Sequence, residues 1–380
     1  VANVLAHEKR VEVLTALVNG NGNRATSRLT GCHQDTIGRL GFAVGVGCAR
    51  LHDRLVRDIA CSYLDLDEQH SWCGVRQPNL DPSRHDESTS GEQWSWAALC
   101  RTSRLTVAWH VGKRDAESAD IVVADARSRL STMPQITTDG CELYVKPIAK
   151  HFGYGVDYAQ QVKRLSARGG GRTGVAEKFS PGSGVSFIEK RVIFGAPDLD
   201  AATTFAIERG NGTNRCWNSR LVRRTLCFSK RVDRHAAAVD LQYVYRNLCW
   251  IPRTPREMRE TSAMAAGITD HVWSVEELMV LALDEPAGEK PRAKPLAYRE
   301  PVTTARPLPS GRGFLRVVPS TPGGPAPAPP SPPPVEPAPA APMPPQADAS
   351  GQLDLLAWRP RAAKPLPPLG SQLSLFGEDE

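Results

Sequence analysis

Three acids in the middle of the chain carry the side chains best suited to chemistry: Asp67, Asp139 and Glu208. Asp67 ends "SYLDLD", where Leu64 and Leu66 alternate with Asp65 and Asp67 in the period-2 pattern of a strand. Asp139 follows "QITT", where a strand meets a turn, and Glu208 lies in "FAIERGN", in the first turns of an Arg-rich helix. Each has an ordinary reading. An Asp before Gly is a turn residue, and a Glu early in a helix balances the helix dipole. Yet strands are depleted in Asp, and these acids alternate with apolar residues. Mg2+ (or Mn2+) prefers oxygen ligands, and two such ions can activate an attacking oxygen and stabilise a leaving one in phosphoryl transfer. Carboxylates from a central strand, its neighbour and a helix would converge on one edge of a sheet. Asp65 shares the face of Asp67. The residues alone leave open whether it is itself a ligand, supports one, or faces solvent.

The elements that must position these acids follow from the pattern around them. "WSWAALC" and "RLTVAWHVG" read as paired hairpin strands, and "DAESADIVVADARSRL" as a helix. "PQITTDG" and "GVDYAQ" read as short strands, and the segments containing Glu208 and "RHAAAVDLQYVYRNLCW" as helices. Hairpin strands followed by strands alternating with helices predict a mixed sheet with helices on its faces. Gly- and Ser-rich sequence at about 163–200 marks an insertion. Trp94 and Trp96 alternate and so share a sheet face, where core packing is the simpler role and base stacking the other.

Residues 1–58 read as all-helical. A stripe through Val11, Leu14 and Val18 precedes "NGNGN", a short helix "RATSRLT" stopped at Gly31, and a third helix "HQDTIGRLGFAV". Short helix, tight Gly turn and helix is the layout of a helix-turn-helix, which would direct His33, Gln34, Thr36 and Arg39 at DNA. The plain alternative is a helical bundle. Residues 285–350 read as a disordered linker, since 14 of the 27 residues from Pro319 to Pro345 are proline. Residues 351–380 regain apolar character in short pieces. There "QLSLF" (Gln372, Leu373, Leu375, Phe376) resembles the peptide by which bacterial DNA-processing proteins dock on the DNA polymerase sliding clamp.

The net charge of +6 is uneven. Residues 61–140 sum to −4, whereas residues 209–260 hold twelve Lys and Arg against four Asp and Glu. An acidic patch beside a basic one suits an enzyme that grips a polyanion. The Arg cluster that includes Arg220, Arg223 and Arg224 reads either as a solvated helix face or as DNA-backbone contacts, and its single sign favours DNA. Nine scattered cysteines with no CxxC pair exclude a zinc finger and read as buried thiols. His110, His235 and His271 lack partners at metal-ligand spacing and read as structural. No run is long enough to span a bilayer. Glu8, Lys9 and Arg10 break the first apolar stretch, so no signal peptide and no membrane are expected, and the expected location is cytoplasmic.

The segments "DEQHSW", "VGKRDAESA", "TTDG" with Tyr144 close behind, "DYAQQVK", "IERGN", "NSRL" and "GITDHVWSVEEL" occur in order, and together they resemble the DDE transposases of the Insertion Sequence One family of bacterial mobile elements. The resemblance runs from about residue 3 to about residue 284. It implies an RNase H-like catalytic domain over 59–284 behind the helix-turn-helix. It also implies that Asp67, Asp139 and Glu208 are the metal-binding catalytic triad, and that Arg209, Asn211 and Arg215 touch phosphate. The substrate would be double-stranded DNA, both element ends and target, cut and joined by a homo-oligomer beside the bacterial nucleoid. Departures from the family pattern stand at Gln69 and His70 (an aromatic or aliphatic pair in the family), Cys141 (His) and Ala206 (Tyr). Two other readings therefore stand beside the transposase: a metal-dependent nuclease of the same fold, and a DNA-binding protein that has lost catalysis.

Overall fold

In a computed structural model, residues 5–165, 185–222, 225–252 and 259–296 are described, all within one compact unit, Val1–Thr303. The proline-rich segment beyond residue 296, the clamp-like peptide at Gln372, Leu373, Leu375 and Phe376, and Arg223 and Arg224 lie outside the described residues.

Six strands form one sheet: β1 (Tyr63–Cys73), β2 (Gly91–Cys100), β3 (Thr106–Gly112), β4 (Gln135–Thr138), β5 (Tyr158–Leu165) and β6 (Val185–Phe194). Their order across the sheet is β3-β2-β1-β4-β5-β6. The first three form an antiparallel meander, β4 and β5 run parallel to β1, and β6 closes the edge antiparallel to β5. Parallel neighbours require crossovers. These are α4 (Ala116–Arg129), between β3 and β4, and α5 (Val145–Phe152), between β4 and β5. This mixed sheet flanked by helices is compatible with an RNase H-like fold.

The two faces of β1 divide the core. Leu64 and Leu66 join Trp96, Ala98, Val122, Val123 and Ile148 in the main apolar cluster on the α4 and α5 side. On the other side, Ala97 and Leu99 of β2 pack with Ala206 and Ile207 of α6 (Phe205–Trp217) and with Val239 and Tyr243 of α7 (Val232–Leu248). Asp65 pairs with Leu99 and Asp67 with Ala97, so both acids lie on this second side.

Three helices precede the sheet: α1 (His7–Val18), α2 (Asn23–Thr30) and α3 (Gln34–Leu55). Gly31 ends α2 in the left-handed conformation, φ +72°, which glycine adopts without strain. The third helix runs 22 residues, well past the "HQDTIGRLGFAV" expected from sequence. Two glycines in this helix are close contact points. A Cβ on Gly45 would lie 2.1 Å from the carbonyl oxygen of Ala237 in α7. One on Gly47 would lie 1.8 Å from that of Ala282 in α9 (Val275–Asp284), which follows the short α8 (Ser262–Ala265). Val44, Cys48 and Leu51 of α3 enter the main core. Arg129 of α4, 1% exposed, pairs with Asp53 and Asp125 and reaches the carbonyls of His52 and Val56 at 3.4 and 3.3 Å. The N-terminal helices and the sheet thus share one interior. Among the described residues no helix is long and apolar enough to cross a membrane.

One further difference concerns Asp67. It does not end a strand, because β1 continues six residues to Cys73 in register with β2. What ends there is the parallel ladder with β4, whose last pair is Leu66 and Thr138. Close packing at Gly47 carries a testable consequence. Gly47→Ala is expected to destabilise the chain by about 1–3 kcal/mol or more, since backbone must move to admit the methyl group. A lowered urea midpoint with an unchanged denaturant slope would show it.

Candidate active site

The register that ends at Leu66 and Thr138 makes Asp67 and Asp139 the next residues on adjacent strands. Helix α6 supplies the third acid, Glu208, in its first turn. Each acid is held differently. Asp67 Oδ2 accepts from Asn211 Nδ2 at 2.7 Å. Asp139 Oδ1 accepts from the Cys141 backbone N–H at 2.8 Å, closing the turn after β4. Glu208 pairs with Lys163 of β5 and accepts from the Thr204 hydroxyl.

Asp67 and Asp139 are both perturbed by their acidic neighbours. Burial, followed by the charges of Glu68, Asp139 and Glu208, pushes the Asp67 carboxyl up to about 8. Burial and the charge of Glu68 raise Asp139, with Glu208 adding to them, against the opposing Cys141 bond and Arg114. Burial and neighbouring negative charge favour the protonated form of Asp67 at neutral pH, and a hard divalent cation with oxygen ligands would take that proton's place. Among the described residues the ligand atoms of Asp67, Asp139 and Glu208 do not all come within 4.8 Å of one another, and those of a different group do. Glu68, Asp139 and Cys141 lie within 4.8 Å of one another. That group already has its cation: Arg114 Nη2 sits 2.7 Å from Glu68 Oε1 and 3.8 Å from Cys141 Sγ. Asp67 has only an amide, which offsets no charge. The positive charge that feels Asp67 is Arg215, on the same helix as Asn211.

Asp65 resolves as a support. It is fully buried and paired with Arg101, whose Nε lies 3.0 Å from Oδ2. Arg101 also binds the carbonyls of Ala201 and Thr203 in the segment leading into α6. Burial raises Asp65 to about 6 against the opposing pull of Arg101. Through this pair, β1 fixes the approach to the helix that delivers Glu208.

The basic residues separate. Arg209 is exposed beside Glu208. Asn211 is 5% exposed and directed at Asp67. Arg215 is half-buried, its charge favoured by Asp67 and opposed by the larger effect of burial. Arg220 is turned inward beside Cys73 and Cys227, and its charge helps hold buried His235 down at about 4, after burial itself. Arg231 pairs with Asp233 at 2.7 Å, and Arg234 binds the Gly38 carbonyl at 2.8 Å, so this run is not one solvated helix face. His33, Gln34 and Arg39 are exposed and Thr36 half-buried in the first turns of α3. His235 meets the Ser71 and Ser229 hydroxyls at 2.9 and 3.0 Å, and His271 lies between Asp270 and Glu277 at 2.7 and 2.9 Å. Both are structural, as their spacing suggested. Sequence reasoning missed Glu68, Lys163, Arg114 and Arg101 as members of the site. Three of the four stand inside the quoted motifs, but no spacing rule singles them out.

No family model matches the chain, and no curated protein matches it. Among solved structures it is similar to complexes of the Mos1 transposase. With the paired-end complex carrying the left transposon end it shares 10% identity over 40% of this chain and 58% of that one, at a TM-score of 0.16. With the strand transfer complex the figures are 10%, 43% and 59%, at 0.15. With the pre-cleavage transpososome they are 9%, 76% and 82%, at 0.18. The chain thus spans less than two thirds of the first two. At TM-scores of this size the likeness carries no weight for function, which must rest on the site.

A carboxyl raised on folding binds its proton more tightly in the folded chain, so the folded state loses stability as pH climbs through the gap between unfolded and folded values. For Asp67 that window runs from the ordinary value of about 4 to about 8. Without divalent metal, the parent is expected to lose stability relative to Asp67→Asn across this range, by at most about 1.4 kcal/mol per pH unit, and so to fall in melting temperature. Thermal melts of both proteins across the window check this. Parallel curves would remove Asp67 as a raised group.

Proposed function

We propose that the protein is a transposase that cleaves and joins DNA strands by phosphoryl transfer, with Asp67, Asp139 and Glu208 holding Mg2+ or Mn2+. What supports the reading is that Asp67 and Asp139 follow directly on the last pair of the β1–β4 ladder, and that the charges of Asp139 and Glu208 are both felt at Asp67. The donor set fits a hard divalent ion, being all oxygen and rich in negative charge. When bound, such ions activate an attacking oxygen and stabilise the leaving one.

The chain's own residues do the positioning. Asn211 fixes one oxygen of Asp67, and the Cys141 N–H fixes one oxygen of Asp139. Lys163 balances Glu208. Exposed Arg209 stands next to Glu208, where a phosphate would approach, with Arg215 on the same helix. His33, Gln34, Thr36 and Arg39 at the start of α3 would read the element ends. Two ends must be joined, so the working form would be a homo-oligomer acting in the bacterial cytoplasm.

The test uses the full chain and duplex DNA carrying the sequences that flank its gene, with Mg2+ or Mn2+. Metal-dependent nicking and joining are expected, and Asp67→Ala, Asp139→Ala and Glu208→Ala should each reduce both to background while retaining DNA binding. Cutting that persists in Asp67→Ala and Asp139→Ala would remove the enzyme reading. Cutting without joining would favour a nuclease. Sequence-specific binding with neither would favour a DNA-binding protein.

A further inference from the structure

The parallel ladder between β1 and β4 stops at Leu66 and Thr138, one residue short of both Asp67 and Asp139. Something other than backbone pairing must then hold the turn carrying Asp139 against β1. On the far side of β1 from Asp67, Glu68 points into the same region with its side chain 3% exposed. Its carboxylate accepts from the Tyr144 hydroxyl at 3.1 Å and from Arg114 at 2.7 and 3.1 Å. Tyr144 is fully buried, its ring meeting Trp96 edge-on at 5.4 Å, and it lies five residues beyond Asp139. Arg114 rests over Trp94 at 5.0 Å and reaches Cys141 Sγ at 3.8 Å. From the β5 side, Gln160 Nε2 donates to the Cys141 carbonyl at 3.3 Å.

These contacts unite three sequence segments with no evident common purpose: "DEQHSW", "VGKRDAESA", and "TTDG" with Tyr144 behind it. Arg114 already pairs with Glu68 and reaches Cys141 Sγ, so the cluster is read as a tie between segments and not as a further metal position. Its members instead grip the turn on both flanks.

We propose that Glu68 is a positioning residue for Asp139: with Arg114 and Tyr144, it ties the turn after β4 to β1 where the backbone ladder has ended. This rests on the reading of Asp67, Asp139 and Glu208 as holders of a divalent ion. Loosening the tie lets the Asp139 carboxylate wander, and a wandering ligand weakens metal binding. Groups that orient ligands commonly cost about 10–100-fold in metal affinity when removed.

The probe is Mn2+ alone, titrated into the full chain and followed by the electron paramagnetic resonance signal of free Mn2+. Tyr144→Phe removes one hydroxyl and no charge, so it separates positioning from simple charge loss. Glu68→Gln removes the charge and weakens both bonds. Tyr144→Phe is expected to bind Mn2+ roughly tenfold more weakly than the parent, with a melting temperature close to it. Its cleavage rate should recover at high Mn2+. A purely structural role would lower the melting temperature and leave Mn2+ affinity unmoved. Parent-like Mn2+ binding in Tyr144→Phe overturns the proposal, and that variant decides alone if Glu68→Gln does not fold. If the parent does not bind Mn2+, or Asp139→Asn binds it equally well, the metal reading fails and this proposal fails with it.

Discussion

The burial of a polar row on β1 governs how the rest of the chain is arranged. Asp65, Asp67, Gln69 and Ser71 share the side that α6 and α7 cover, and three of the four are completely buried. A buried polar group without a partner costs about 1–3 kcal/mol, and a charge costs more. Each member therefore requires a partner from another element. Arg101 answers Asp65, and Asn211 answers Asp67. Gln69 donates to the Asn211 carbonyl at 3.1 Å and accepts from Asn214 at 3.4 Å. Ser71 donates to the Gln93 carbonyl at 2.8 Å and meets His235. Satisfying this row fixes the rotation of α6 and the seat of α7, so the site's geometry is a by-product of hydrogen-bond satisfaction.

Within that row the compensation is unequal. Asp65 has a full guanidinium, whereas Asp67 has a neutral amide and three nearby carboxylates. The helix geometry explains how one element serves both halves of the site. Glu208 and Asn211 are three residues apart and so share a helix face. A rotation of α6 by one residue would remove the third acid and the amide of Asp67 together. Beneath them Arg246 of α7 binds Asn214 Oδ1 and reaches the Gly210 carbonyl at 3.3 Å, placing a buried positive charge under the helix that carries Glu208.

Periodicity made the order of strands and helices legible, because one apolar side of β1 and the apolar stripes of the helices are local properties. The three acids stood out by residue type as candidates. Their partners did not. Glu68 looks like the neighbour of Asp67, yet it points through the opposite side of the sheet, and only the fold brings Arg114 and Tyr144 to it. The third helix reads in the sequence only as far as Val44, because sequence does not show that the glycines beyond it admit neighbouring helices. The single sign of its cluster made Arg220 read as a DNA-backbone contact, but its side chain is half-buried beside Cys73 and Cys227. Trp96 is buried in the core, the simpler of its two readings.

The departures from the transposase-like pattern can be weighed by what each residue touches. Gln69 stands where an apolar side chain is usual, yet both ends of its amide are bonded, so no orphaned group is buried. Ala206 packs against Ala97 and Leu99 in the core below α6, where a larger ring would need space that those residues now fill. Cys141 is the substitution nearest the acids. Burial and the charge of Glu68 push its thiol up to about 11, so it stays neutral at physiological pH and adds no charge to the cluster. Its backbone N–H still holds Asp139, a contact that depends on the turn and not on the side chain. A histidine there could have carried part of the counter-charge. With a neutral thiol in its place, the positive charge that answers Glu68 comes from Arg114.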